Sequence, residues 1–244
     1  MPEFRQIDCG EVSLRCAIEG PAPGTAPLAI MVHGFPESWY SWRHQLGPVA
    51  DAGFTACAID VRGYGGSDKP HPVEAYAMER LVGDLVGLRD ALAPGQQVVL
   101  IGHDWGAPIV WNTAFTNTER VRAVAGLSVP FAGAPLRPFT DVFREAFTSQ
   151  GRFFYQVYFQ DEGVAEAELE ADVRASLRQA CIDQALGDHG FQILTRLGGH
   201  AGGDFLGAQF EQKSQKWQDH QINDGGRFEP PEIEHHQAKG LGPR

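Results

Sequence analysis

Residues 97–112 read Gln97-Val98-Val99-Leu100-Ile101-Gly102-His103-Asp104-Trp105-Gly106-Ala107-Pro108-Ile109-Val110-Trp111-Asn112. A short apolar run meets a tight Gly-x-Asp-x-Gly turn and continues into a helical segment. That order, strand to sharp turn to helix, is the setting of a nucleophile elbow. The two glycines permit a sharp backbone turn and close approach of helix to strand. The residue at the tip decides the chemistry. A carboxylate is ionised near neutral pH and attacks without a base to activate it. Its attack on an ester carbonyl would give a reactive anhydride, so the matching electrophile is a saturated carbon bearing a leaving oxygen or halide. The competing reading of Asp104 is a helix N-cap, which its place just before a helix also allows.

Outward from the elbow, strands and helices alternate. Residues 11–18 alternate as a half-buried strand does, closed by Gly20-Pro21. Residues 27–32 are a continuous apolar run, as expected of a strand covered on both faces. A helix is predicted over residues 38–52 and a strand over 54–60. Met78, Leu81, Val82, Leu85, Val86 and Leu92 recur at helical spacing. The strand at 98–101, a helix at 105–116 and a strand at 121–128 follow. This alternation predicts a doubly wound, mostly parallel sheet flanked by helices. In such sheets function gathers at the carboxyl ends of strands, where His33, Asp60, Asp104 and Ser128 fall.

Beyond Pro130 the pattern changes. Residues 131–200 read as helical, with the better helices at 141–149 and 164–180, the latter rich in Ala, Glu, Leu and Arg. From residue 201 only 11 of the last 44 residues are apolar, against 43% of the whole. That composition predicts a poorly ordered tail. The expected division is a core over 1–130, a helical lid over 131–200 and an atypical tail over 201–244.

The chain has 244 residues, room for one α/β domain with a modest insertion or for two small domains. A net charge of −11 disfavours nucleic acid and anionic membrane surfaces as partners, and its ordinary meaning is solubility. Cys9, Cys16, Cys57 and Cys181 form no Cys-x-x-Cys pair and read as buried free thiols, not disulfides or metal ligands. The first eight residues lack the basic-then-apolar pattern of a targeting signal, and no run approaches membrane-spanning length. A cytoplasmic protein is the expectation. The oligomeric state is left open.

Four motifs resemble the epoxide hydrolase branch of the α/β-hydrolase fold. They are His33-Gly34-Phe35-Pro36-Glu37-Ser38-Trp39, Asp60-Val61-Arg62-Gly63-Tyr64-Gly65-Gly66-Ser67-Asp68-Lys69-Pro70, Gly102-His103-Asp104-Trp105-Gly106, and Tyr155-Gln156-Val157-Tyr158-Phe159-Gln160-Asp161-Glu162-Gly163-Val164-Ala165-Glu166-Ala167-Glu168-Leu169-Glu170. The last is distinctive of that branch and lies in the predicted lid. The resemblance covers roughly residues 4–180. It implies an α/β-hydrolase fold with a helical lid inserted after the sixth strand, acting on a small-molecule epoxide and water without metal or cofactor.

The resemblance also implies roles. Asp104 attacks an epoxide carbon to form a covalent alkyl ester. Tyr155, pointing from the lid towards Asp104, donates a proton to the opened oxygen; a phenol with pKa near 10 remains protonated at working pH. From the residues alone, Tyr155 reads instead as an aromatic core residue among Phe153, Phe154, Tyr158 and Phe159, and the resemblance reverses that reading. The oxyanion hole is made by the backbone N–H groups of Phe35 and Trp105. His33, Pro36 and Trp39 shape the pocket wall, and Phe35-Pro36 is a candidate cis bond. His103 reads as a packed elbow residue, and Arg62 with the glycines after it as structural.

The ester's hydrolysis needs a base. In the resembled family this is a histidine near the C-terminus, oriented by an acid after a preceding strand. No Gly-His-Trp segment or strand-plus-aspartate pattern follows the lid, and Ser128-Val129-Pro130 offers no acid. His189, His200, His220, His235 and His236 lack the expected context. Residues 203–212 faintly resemble the lid segment with the family's second tyrosine, Leu206 taking its place. These gaps raise the expectation that the last core strands are missing, for instance through a reading-frame shift after about Arg178. Two alternatives stand beside the epoxide hydrolase. One is a dehalogenase, disfavoured because Phe35 occupies the place of that branch's halide-binding asparagine. The other is an incomplete hydrolase that binds an epoxide, or is alkylated by it, without turnover.

Overall fold

A computed structural model describes residues 1–131, 133 and 137–185. The chain divides into two compact units, Met1–Val142 and Phe143–Arg244. The first holds a six-stranded sheet of β1 (Glu3–Asp8), β2 (Ser13–Glu19), β3 (Leu28–Val32), β4 (Thr55–Ile59), β5 (Val98–His103) and β6 (Val121–Leu127). Their order across the sheet is β1-β2-β4-β3-β5-β6. β1 pairs antiparallel with β2, and β2 with β4; the remaining pairs are parallel. β1 lies in the segment read above only for its lack of a targeting signal.

The two faces of the sheet carry different side chains. Leu14, Cys16, Ile18, Ile30, Val32, Cys57, Ile59 and Leu100 point to one face and pack with Leu85, Leu88 and Leu92 of α2 (Met78–Leu92) and Ile109 and Val110 of α3 (Gly106–Thr116). The opposite face shows Ala17, Met31, Ala56 and Ala58. Alanine there leaves depth for Trp42 and Leu46, which close that side. Every residue of β3 and β4 is buried, as strands covered on both faces must be.

The helix predicted over residues 38–52 is instead a 3₁₀ turn, Trp39–Trp42, and a separate helix α1, Leu46–Asp51. Pro48 is the reason. Deep in a continuous helix it would remove one ladder bond and clash with the carbonyl four residues back. Within the first turn of a new helix its missing N–H has no ladder partner to lose.

Arg62 and Asp84 form a buried ion pair, with side chains 2% and 5% exposed. Arg62 Nε donates to Asp84 Oδ2 at 2.8 Å, and one terminal nitrogen donates to Ala75 O at 2.6 Å. Burial raises the Asp84 carboxyl above its ordinary range even though Arg62 opposes the shift. Desolvation therefore consumes much of the pair's attraction. It ties the loop after β4 to α2 more than it adds stability.

The described part of the second unit is helical: α4 (Phe139–Ala146, entering from the first unit), α5 (Tyr155–Tyr158), α6 (Val164–Leu169) and α7 (Val173–Ala185). The single helix expected over 164–180 is broken between α6 and α7. Asp172 Oδ1 accepts the Ala175 N–H at 3.0 Å, so the carboxylate caps a fresh start. Phe153, Tyr155, Tyr158, Phe159 and Leu169 pack together, and Tyr158 hydrogen-bonds Glu168. Cys9, Cys16 and Cys57 are free thiols. Among the described residues no helix is long and apolar enough to cross a membrane. The tail expected over 201–244, the histidines from His189 onward and the segment around Leu206 lie outside the described residues.

Candidate active site

The sheet order builds the site. From β3 the chain turns to β4 on one side and returns to β5 on the other, so the loops after β3 and β5 part at neighbouring strand ends. Val32 of β3 pairs with Gly102 of β5, which brings the next few residues of each strand together. Such a switch point is where open α/β sheets form their crevice.

Asp104 sits at the tip with φ of 50°. That left-handed conformation is uncommon outside glycine but tolerated by aspartate, and it turns the side chain out of the strand direction. The backbone is anchored on both sides: Asp104 N–H donates to Leu127 O of β6 at 3.2 Å, and Asp104 O accepts from Ala107 N–H at 3.0 Å. The carboxylate does not cap α3. Its Oδ1 instead accepts the backbone N–H of Phe35 at 2.8 Å, across 69 residues of sequence. Trp105 stands just before the first residue of α3, so its N–H lies outside the helix ladder.

The Phe35 loop is closed on itself. Glu37 N–H donates to Gly34 O at 3.1 Å, and Gly34 N–H donates to Glu37 Oε2 at 3.1 Å. The Phe35-Pro36 bond is cis. Gly34 is held against the nucleophile: a Cβ there would lie 2.3 Å from Asp104 Oδ1.

His33 is 1% exposed. Its Nδ1 donates to Gly34 O at 2.8 Å and its Nε2 accepts the Val61 N–H at 3.0 Å, which fixes the neutral tautomer. Burial lowers its pKa, keeping it neutral. The ring thus ties the loop after β3 to the loop after β4. Trp39 packs edge-on against Phe4, with ring centres 4.8 Å apart, and the Arg15 guanidinium lies over the Phe4 ring. Tyr155 belongs to the second unit, where its hydroxyl accepts from Gln156 Nε2 at 2.9 Å and its ring meets Phe159 edge to face. An accepting oxygen leaves the phenol its single O–H donor role.

Sequence reasoning missed the pair formed by Glu37 and His103. Glu37 Oε1 lies 3.1 Å from His103 Nδ1, next to the nucleophile in sequence. The signal was present, since both residues stand inside quoted motifs, but nothing local says that they meet. Burial alone would raise the Glu37 carboxyl; the His103 ring and the Gly34 N–H outweigh it, and the net shift is downward. His103 is raised by its hydrogen bond to Glu37.

These shifts give a pH prediction. The raised His103 contributes stability in full below its ordinary value of 6.5 and loses it as pH rises through the folded value. The lowered Glu37 contributes above its ordinary 4.5 and loses that as pH falls through the folded value. Both contributions are complete between those two ordinary values. Glu37→Gln should therefore lower the melting temperature most near pH ~5.5, with a smaller gap at pH ~8.5. Thermal denaturation of both proteins across pH checks this. A gap that grows towards pH ~8.5 would contradict it.

Among the described residues no group of three or more His, Cys, Asp or Glu side chains is gathered to hold a metal ion.

The family model described as alpha/beta hydrolase fold matches residues 27–192. The chain belongs to the α/β-hydrolase fold family. Within it, this α/β-hydrolase is 47% identical over 178 residues to epoxide hydrolase A of Mycobacterium tuberculosis, a match covering 73% of this chain and 54% of that protein. It is 47% identical over 156 residues to the bifunctional epoxide hydrolase 2 of Mus musculus, covering 64% of this chain and 27% of that one. The crystal structure of epoxide hydrolase A from Mycobacterium thermoresistibile superposes with a TM-score of 0.66 at 46% identity, over 70% of this chain and 53% of the other. The chain spans about half the length of the mycobacterial relatives it matches.

Proposed function

We propose that this α/β-hydrolase acts on a small-molecule epoxide through a covalent ester on Asp104, in an epoxide hydrolase-type reaction. The observation that carries the proposal is the 2.8 Å bond from Phe35 N–H to Asp104 Oδ1 at a left-handed elbow. It divides the two carboxylate oxygens. Oδ2 attacks the epoxide carbon, the carbon–oxygen bond breaks, and the departing oxygen takes a proton from Tyr155. Oδ1 stays as the ester carbonyl. Turnover of the ester needs a base to take a proton from water as it adds to Cγ. The negative charge of that step falls on Oδ1, towards which Phe35 N–H points, with Trp105 N–H as the second donor. Pro36 and Trp39 wall the substrate side, and His33 holds the loop. The epoxide hydrolase names of the relatives support the substrate class. Free thiols at Cys9, Cys16 and Cys57 fit a reducing, cytoplasmic location.

The test is incubation with styrene oxide followed by intact-mass and peptide analysis, with diol and halide assays on a mixed panel of epoxides and haloalkanes. The expected result is an adduct of one substrate mass on the peptide containing Asp104, or diol formed through it. Halide release without either would replace the reading with dehalogenation, and neither adduct nor product would reject it.

A further inference from the structure

We propose that Asp60 is a positioning residue that aims the Phe35 N–H at Asp104, acting through the backbone of Trp39. Its catalytic consequence rests on the epoxide reading above; its structural part does not. Asp60 directly follows β4 and is 0% exposed. Oδ1 accepts the Trp39 N–H at 2.9 Å, and Oδ2 accepts the Gly66 N–H at 2.8 Å with Arg15 Nε 3.8 Å away. The Asp60 backbone is itself held: its N–H donates to Arg15 O at 2.8 Å, and its carbonyl accepts from Ser67 Oγ at 2.6 Å. The carboxylate is thus a fixed, charged acceptor, whose hydrogen bonds are stronger than neutral ones.

The placement of these bonds along the loop matters more than their number. Residues 34–37 form a turn closed by two hydrogen bonds between Gly34 and Glu37. A turn locked upon itself moves as one piece, so its orientation is set by the residues at its two ends. At the leading end His33 Nε2 accepts from Val61 N–H, and at the trailing end Trp39 N–H is taken by Asp60. Both clamps come from consecutive residues at the end of β4. Phe35, between the clamps, presents its N–H to the nucleophile. Losing the trailing clamp lets the turn pivot about His33, and the direction of that N–H changes first.

Asp84 separates positioning from ordinary structural support. It is also a buried carboxylate in hydrogen bonds, but it belongs to α2 and its bonds go to Arg62, not to the Phe35 loop. The experiment uses the full ¹⁵N-labelled chain and residue-resolved amide hydrogen exchange. The quantity read is the protection of Phe35 relative to Ile30 in the middle of β3. In Asp60→Asn the single remaining oxygen is neutral, so whichever of the two N–H groups it keeps, the Trp39 clamp is lost or weakened, and the ratio should fall about tenfold. Asp60→Ala should lower it further, and if that variant does not fold the Asn variant decides alone. Asp84→Asn should lower the melting temperature yet leave the ratio within about twofold of the original. An unchanged ratio in Asp60→Asn, or an equal fall in Asp84→Asn, overturns the assignment.

In the same proteins, the limiting rate of Asp104 alkylation by styrene oxide should fall about tenfold in Asp60→Asn, with half-saturation unchanged. If the unaltered chain forms no adduct while the exchange ratio shifts as stated, the epoxide reading fails and Asp60 keeps its role. If the adduct forms and the ratio does not shift, the reverse holds.

Discussion

Replacing Asp104 with asparagine is expected to abolish covalent capture of an epoxide while leaving the fold in place. The amide is neutral, its oxygen is a poor nucleophile, and the alkylation rate should fall by at least ~10³-fold, about 4 kcal/mol in the barrier. The fold has little reason to respond. Asparagine has the same shape and keeps an acceptor oxygen for the Phe35 N–H now bound at 2.8 Å. It also tolerates the left-handed backbone at φ of 50°. Stability should change by less than about 1 kcal/mol, since neither a cavity nor an unsatisfied donor is created. Intact-mass time courses measure the first quantity and urea unfolding the second. Adduct forming in the variant at the original rate would place the nucleophile elsewhere.

Gly106→Ala should damage fold and site together. A Cβ on Gly106 would lie 2.2 Å from Val32 O and 2.7 Å from His33 O. Both are backbone atoms at the end of β3, so no side-chain rotation relieves the contact and α3 must move off the sheet. Overpacking a core costs roughly 1–3 kcal/mol, and a clash with backbone belongs at or beyond the upper end. The displaced elbow also carries Asp104 away from Phe35. A shift of about 1 Å at a reacting group is worth on the order of 10²-fold in rate. Gly83→Ala in α2 is the contrast, because an added Cβ there meets nothing within 4 Å. It should stabilise by up to ~1 kcal/mol through helix propensity alone. Urea midpoints and alkylation rates of the two variants check the pair. An unharmed Gly106→Ala would mean that helix and strand are less tightly apposed than these distances state.

Much of the first unit was legible before its structure. β2 to β6, α2 and α3 follow from runs of apolar residues with period two or 3.6, bounded by Gly and Pro. The two helices that differ from the periodic pattern do so for local reasons. Pro48 divides the segment after β3, and Asp172 divides the last helix, because each residue dictates where a helix can begin. The elbow was legible as a turn, and so was the residue at its tip. The direction of that residue's carboxylate was not. The same letters allow a cap on α3 or a nucleophile, and the structure shows the carboxylate accepting the Phe35 N–H instead of capping α3.

The pairings that organise the site were hidden for a different reason. Glu37 meets His103 and Asp60 meets Trp39 across 66 and 21 residues. Arg62 meets Asp84 inside the core, where the helical pattern of α2 predicted only an apolar face. The first two contacts exist because β3 lies between β4 and β5. Tyr155 was assigned through a motif within the second unit, where the structure gives its neighbours Gln156 and Phe159.

By itself the sequence determined what depends on a few neighbouring residues: the strand period, the glycine-bounded turn, and a carboxylate at its tip. Backbone sterics and side-chain chemistry act over that range, so adjacent letters suffice. Only the tertiary structure decided which oxygen of Asp104 is held, which N–H holds it, and what aims that N–H. Those answers depend on strand order, which brings residues 35, 60 and 104 to one edge of the sheet although no local pattern links them.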